Sequence, residues 1–341
     1  MRSIMLVSLV MFACIADAHH AFITHYDPTQ SLELRGVVVE YNMRSPHSTI
    51  VVDVEGGIGE AQRWEVETAS VPHMRRMGMD QNTFESGDAI TVVARPNRRP
   101  GHTLVYGIGF VTADGTELGE LPNIDADGYQ GSGRSGIAAI IGRWTAPFPV
   151  RTTESPLPLT SLARSAWEHY DPQLSPANTC EEITIPPLLY APAFLTDIQI
   201  DEREVVLHHE AYGRIRTVPL NGAPRITEPT GALGVASARI DGDALVIDST
   251  GFPASAWGLA IAAHTNGGGA DVPSSTQKRV TERYSASEDG QMLLVEYTMD
   301  DPVYLTEPYS GVIEFSRVAD DEQMYPFECE VESAERFSRD P

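Results

Sequence analysis

Leu32-Glu33-Leu34-Arg35-Gly36-Val37-Val38-Val39, followed after a short break by Ser48-Thr49-Ile50-Val51-Val52-Asp53-Val54, decides the fold class of this chain. Both runs are rich in β-branched residues with partial alternation, the pattern of strands that bury one face. Arg63 to Glu67 and Ala89 to Ala94 repeat it. Between them, Val71, Met74 and Met77 recur at helical spacing within Ser70 to Met79, and Asp80 to Asp88 returns as a polar loop. The order strand, strand, strand, helix, strand predicts a small OB-like barrel, with a sandwich as the alternative.

Further along, Glu204 to His209, Ile215 to Leu220, Val235 to Ile240, Ala244 to Asp248, Gln277 to Ser285, Met292 to Met299 and Ser310 to Arg317 read as strands. Asn221-Gly222, Asp241-Gly242-Asp243 and Asp289-Gly290 fall between them as hairpin turns. The second half is therefore expected to be a larger antiparallel β-barrel or sandwich, and the whole chain all-β with minor helices. Gly119, Pro122, Asp125, Asp127, Gly128, Gly131 and Gly133 have the composition of a linker. The expected division is a first domain over 19–118, a linker over 119–142 and a second domain over 143–335.

The first 18 residues read as an export signal, excluded from the fold: Arg2 is basic, Ile4 to Ile15 is almost wholly apolar, and Ala16 and Ala18 occupy small-residue cleavage positions. Lipidation at Cys14 is disfavoured by the bulky Phe12. Cleavage after Ala18 places the protein in the periplasm or outside the cell and makes His19 the first mature residue. No later stretch approaches the roughly 18 apolar residues needed for a membrane-spanning helix, so no membrane insertion is expected.

Composition narrows the partners. The formal net charge is -24, and so acidic a chain repels phosphate backbones, which argues against nucleic acid. Lys278 is the sole lysine. With Cys14 removed, Cys180 and Cys329 remain, an even pair that in an exported protein most simply forms one disulfide, with two free thiols as the alternative. A bridge over that span restricts the unfolded chain by on the order of 4 kcal/mol.

His19-His20-Ala21-Phe22, Tyr26-Asp27-Pro28, Leu34-Arg35-Gly36-Val37-Val38, Ser45-Pro46-His47 and Arg75-Arg76-Met77-Gly78 together resemble a family of exported bacterial proteins of unknown function. Mature chains of that family begin His-His-Ser-Phe and carry Asn-Pro-His. The second half resembles the region that accompanies this domain in longer members, through Pro158-Leu159-Thr160, Tyr170-Asp171, Cys180, Arg216 to Gly222, Leu245 to Phe252, Glu282-Arg283-Tyr284 and Cys329. The resemblance implies no reaction. Ser45 replaces the usual Asn, and Ser274 and Arg279 stand where longer relatives tend to show histidines, which weakens any histidine-based catalysis in the second domain.

Three constellations carry chemistry. First, the α-amine and imidazole of a mature His19, with His20 beside it and Nε2 of His47, would make a three-nitrogen set suited to copper; His25 and His102 are reserve ligands. The alternative is an added edge strand with surface histidines. Second, Glu210, Arg216, Asp248, Glu282, Arg283, Tyr284 and Glu296 form the polar set of the second domain. Strand alternation sends Glu282 and Tyr284 to one face and Arg283 to the other. Asp248, Glu282 and Tyr284 are candidate catalytic groups on a small apolar ligand, against the alternative of a buried Arg–Glu pair. Third, in His208-His209-Glu210 only His208 and Glu210 would share a face of a strand, and a solvated strand edge is the expectation. His264, beside a glycine run, is assigned no role.

The expectation is thus an exported periplasmic binding protein whose partner is a metal ion, copper at the mature N-terminus, or a small apolar ligand. The alternatives are a lipocalin-like enzyme or carrier acting in the second domain, and an envelope scaffold with no small-molecule site and no cofactor. Whether the protein is an enzyme stays open at this level.

Overall fold

Alternation in the first half closes a barrel. The computed structural model describes residues 25–55, 61–119, 133–147, 150–153, 156–223, 231–262 and 268–336. Its first strands are β1 (Leu32–Asn42), β2 (Ser48–Glu55), β3 (Ala61–Thr68), β4 (Ala89–Arg95), β5 (Leu104–Val111) and β6 (Glu117–Leu118), with helix α1 (Val71–Arg76) between β3 and β4. The long β1 pairs antiparallel with β2 through Val38↔Val52 and with β4 through Leu34↔Val92, and a register shift between Val38 and Glu40 bends it to serve both. Antiparallel β4–β5 and the parallel Val66↔Val105 pairing of β3 with β5 complete the circuit. This is the OB-type order expected from the strand and helix sequence. Leu34, Val38, Ile50, Val52, Val66, Val92 and Phe110 fill the interior, and Met74 of α1 plugs one end.

The second half builds a nearly closed antiparallel barrel. Its strands are β7 (Gly142–Thr145), β8 (Arg151–Thr153), β9 (Leu195–Ile200), β10 (Glu204–His209), β11 (Arg214–Pro219), β12 (Val235–Asp241), β13 (Ala244–Thr250), β14 (Ser255–Ala260), β15 (Val272–Ser274), β16 (Arg279–Ala286), β17 (Met292–Asp300) and β18 (Tyr309–Arg317), with helices α2 (Ser161–Glu168) and α3 (Val331–Arg336). The order around the sheet is β11-β10-β9-β7-β18-β17-β16-β13-β12, and a single parallel bridge, Leu220↔Ala238, links its two ends. Hairpins β9–β10, β12–β13 and β16–β17 turn at the same end as the start of β7. That end is plugged by Arg317, stacked 4.0 Å from the Trp144 ring and donating to the carbonyls of Gly290, Ile141 and Ala139. At the other end the excursions before β9 and between β13 and β16, the latter carrying the β14–β15 hairpin, cover the barrel.

Two features depart from the simple division of the chain. Gly136–Ala139 form a 3-10 turn, and Ile140, which caps it, joins the second barrel's core, so this stretch packs with that barrel. The chain also returns after β18: Cys329 bridges to Cys180 with a Cα–Cα separation of 5.8 Å, and the segment around it lies against the first barrel through the Ser45↔Cys329 pairing. No helix among the described residues is long and apolar enough to cross a membrane.

Candidate functional site

His47 closes the loop between β1 and β2, and the pairing Thr49↔Glu67 across β2–β3 brings the end of β3 beside it. Its Nδ1 lies 2.9 Å from Oε1 of Glu67. The other oxygen of that carboxylate, which is only 6 % exposed, accepts the phenol of buried Tyr26. Tyr26 is held by the bridge Tyr26↔Asn97 and by the Tyr106 ring at 5.6 Å. Burial, and then the charge of Glu67, push the Tyr26 phenol far up, so it stays a hydrogen-bond donor at any physiological pH. One carboxylate therefore joins Tyr26, which precedes β1, to the Pro46-His47 loop.

An imidazole that gives its Nδ1 proton to a carboxylate keeps its lone pair on Nε2, the arrangement that metal-binding histidines use to fix ring and tautomer. His19 and His20, the other members of the expected set, lie outside the described residues. His25 sits next to Tyr26, its ring 6.2 Å away, and half-buried His102 lies in the β4–β5 loop. Among the described residues no cluster of three or more His, Cys, Asp and Glu has metal-site geometry. Sequence reasoning did not single out Glu67; only the strand register places it.

The polar set of the second barrel divides by face. Inside, Arg216 donates to Glu282 at 2.6 Å and to Ser249, and Tyr284 donates to the other oxygen of Glu282 at 2.6 Å. Glu282 is fully buried and Tyr284 nearly so, as alternation required. Outside, Asp248 binds Arg239 and Thr281, Arg283 binds Asp241, and Glu296 is exposed opposite Arg283. Asp248 and Glu282 thus point to opposite faces of the sheet and share no site. The interior group is a buried Arg–Glu pair with a tyrosine on it.

The solvated edge expected for His208-His209-Glu210 is not what forms. β10 lies between β9 and β11, His209 is 3 % exposed and Glu210 is 1 % exposed. Strand alternation does not extend to Glu210 because the chain turns into a helical conformation there. Glu210 instead receives Arg76 of the first barrel through Nη2 at 2.6 and 2.8 Å, with the backbone N–H of Leu195 and of Tyr325 completing its shell at 3.0 and 2.7 Å. This group docks one barrel on the other.

Lys278 is also structural. It is nearly fully buried, donates to Thr184 Oγ1 and to the carbonyls of Ile185 and Gly258 at 2.9 to 3.0 Å, and lies 4.1 Å from the Phe252 ring. Burial lowers its pKa to about 7 against the opposing charge of Asp301. It ties together the two excursions that cover the barrel. His264 lies outside the described residues. A groove of about 690 Å³ runs along the seam between the barrels, bordered by Met43, Ser45, Arg75, Met79, Tyr325 and Glu328.

Residues 6–104 match a family of unknown function (DUF6152). The matched region reaches from the N-terminal segment through β4 to the start of β5, and so contains His19, His47, Glu67 and Arg76. No curated protein matches the chain.

Proposed function

We propose that this is an exported periplasmic protein that binds copper through its mature N-terminus. Removal of residues 1–18 leaves His19 to offer its amine and imidazole, with His20 as a second imidazole at the same terminus and Nε2 of His47 as the third nitrogen. The supporting observation is the Glu67 carboxylate, which holds both Tyr26 and the Nδ1 side of His47. His19 lies seven residue steps before Tyr26, a reach of about 25 Å when extended, ample for the terminus to return to His47. His19-His20-Ala21-Phe22 and Ser45-Pro46-His47 are taken as this chain's counterparts of the family's His-His-Ser-Phe and Asn-Pro-His. Amine and imidazole nitrogens favour copper over other divalent first-row metals. Such a site serves carriage of the metal or oxidative chemistry at it.

The test is titration of correctly processed protein with Cu(II), followed by electron paramagnetic resonance. Tight binding, lost when one alanine is added before His19 or when His47→Ala is made, is the expected result. Affinity no tighter than micromolar, or binding indifferent to both changes, overturns the reading.

A second reading places a small apolar ligand in the large barrel. It is favoured by the charged pair Arg216–Glu282 inside a barrel of the size that encloses single small ligands, and by Nε of Arg216 and Nε2 of His209, which find no hydrogen-bond acceptor among the described residues. A ligand at 100 times its dissociation constant stabilises by about 2.7 kcal/mol. No thermal shift across a panel of apolar molecules bearing an acceptor oxygen would leave the envelope scaffold in its place.

A further inference from the structure

We propose that the C-terminal segment, stapled by Cys180–Cys329, positions His47 for the metal, so that Ser333 is a positioning residue and the affinity of the site depends on the disulfide. This rests on the copper reading above and adds a control element to it.

The chain leaves the second barrel after β18 and crosses the seam between the domains. The carbonyl of Gln323 accepts from Arg76 at 3.3 Å, the Tyr325 N–H donates to Glu210, and the Phe327 ring packs at 5.7 Å from Phe194 and 5.0 Å from Tyr212. Beyond Cys329 the segment reaches the first barrel, while α3 also packs on the Pro176–Thr179 turn of the second domain. The Glu330 N–H donates to the Ser45 carbonyl at 2.8 Å, Glu330 pairs with Arg44, and Arg336 pairs with Glu65. Ser333 Oγ accepts the His47 N–H at 3.2 Å and donates to the His47 carbonyl at 2.7 Å. His47 is therefore gripped twice: by Glu67 of its own barrel at the ring, and at both of its peptide groups by a side chain 286 residues away.

The disulfide is what makes the second grip durable. α3 has six residues, too few for a helix to persist without tertiary support. The ion pairs Arg44–Glu330 and Arg336–Glu65 are each about a third or more exposed on both sides, and pairs of that kind contribute about 0–1 kcal/mol. Cys180, by contrast, belongs to the turn after Pro176–Thr179 in the second domain and anchors covalently the Cys329 that pairs with Ser45. Both cysteines are half-buried, within reach of a small thiol. A dithiol reductant opens the bridge by attack of its thiolate on one sulfur, formation of a mixed disulfide and release of that bond by its second thiol. Two electrons and two protons pass to the protein, which gains two thiols, and the reductant becomes a disulfide.

Two measurements on the full processed chain decide the matter. In the metal-free protein, amide exchange at His47, whose N–H donates to Ser333, is expected to be at least tenfold faster in Ser333→Ala and in the Cys180→Ser/Cys329→Ser double variant than in the parent. With Cu(II) alone as probe and no reductant present, both variants are expected to bind about 10- to 100-fold more weakly, the range seen when groups that orient a ligand are removed, with altered copper hyperfine splitting. Unchanged exchange overturns the positioning role whether or not copper binds. Faster exchange with unchanged affinity and spectrum in a copper-binding parent overturns the control of the site while the copper reading stands. A parent with no copper affinity refutes the copper reading and with it the metal half of this inference. Ser333→Ala deletes a single hydroxyl from a small buried side chain, so this variant stays informative if the cysteine variant fails to fold.

Discussion

Replacing Arg76 by methionine keeps the length of the side chain and removes its charge at the point where the two barrels meet. Arg76 and Glu210 have side chains 2 % and 0 % exposed, and both oxygens of Glu210 take the same guanidinium nitrogen. In Arg76→Met the carboxylate keeps the N–H groups of Leu195 and Tyr325 but loses its counter-charge. Breaking a buried pair from one side costs about 3–5 kcal/mol, because the remaining charge is stranded out of water. That is a large share of the roughly 5–15 kcal/mol that holds a typical domain folded. The loss falls on the docking of the barrels, since Arg76 sits on α1 of one and Glu210 follows β10 of the other. Urea unfolding followed by hydrogen exchange in each barrel is the assay: the parent should unfold in one transition and Arg76→Met in two, separated or shifted by about 3 kcal/mol or more. Adding Glu210→Gln removes the stranded charge, so the double variant should be more stable than Arg76→Met alone, with a coupling of about 1–3 kcal/mol. A cost below about 1 kcal/mol for Arg76→Met, or strict additivity in the double variant, refutes the argument.

Other expectations follow from single sites. Glu67→Gln preserves the shape of the His47 partner while removing its charge, and should weaken Cu(II) binding by about 10- to 100-fold without loss of fold, read by titration and circular dichroism. His209 is buried, and desolvation first, then the charge of Arg216, lower its pKa to about 3. Below the unfolded value of about 6.5 the unfolded chain takes up a proton that the folded one refuses, so stability falls as pH falls from 6.5 towards 3, by up to roughly 1.4 kcal/mol per pH unit. Urea midpoints of His209→Asn across that window should show a shallower slope than the parent, and equal slopes refute the assignment. A Cβ at Gly311 would stand 2.5 Å from the Tyr297 hydroxyl, which is itself hydrogen-bonded to Tyr190 at 2.5 Å. Gly311→Ala should therefore cost about 1–3 kcal/mol in thermal or urea unfolding.

The strands that sequence reading recovered are those with clean alternation. Glu204 to His209 was placed with its observed bounds, and Met292 to Met299 falls one residue short of β17. β5 escaped because Gly107 and Gly109 interrupt its apolar run, yet the fold demands the first of them: a Cβ at Gly107 would meet Val66 at 2.7 Å and Phe110 at 2.8 Å. β9 escaped because Leu195 to Ile200 is short and its outward positions are polar. The two faces of β13 and β16 were legible from period-2 geometry, which put Glu282 and Tyr284 inside correctly. What the same geometry could not supply was where β10 stops, and Glu210 lies one residue past that point. Nor does any local pattern tie Glu67 to His47 or Ser333 to His47, because those contacts depend on register and on the path of the C-terminal segment.

The charge distribution gives the docked arrangement its logic. A chain with net charge -24 pushes its domains apart through space, so holding them together takes buried cations at fixed places rather than a general attraction. Arg76 serves as such between the barrels, nearly buried on Glu210 with Glu322 at 3.9 Å, and inside the second barrel Arg216 is likewise buried on Glu282, while Arg317 satisfies three carbonyls and covers Trp144. The planar fork of arginine suits these roles better than the strongly hydrated ammonium of lysine. The one lysine shows the contrast: buried Lys278 needs three oxygens and an aromatic face, and still has its pKa drawn down to about 7. Docking is then more than adhesion. It lets a segment that begins in the second barrel reach His47, so the second domain acts on the site of the first through Ser333. Isolating the first barrel should therefore change the behaviour of His47 even though His47 and its partners Glu67 and Tyr26 all belong to that barrel.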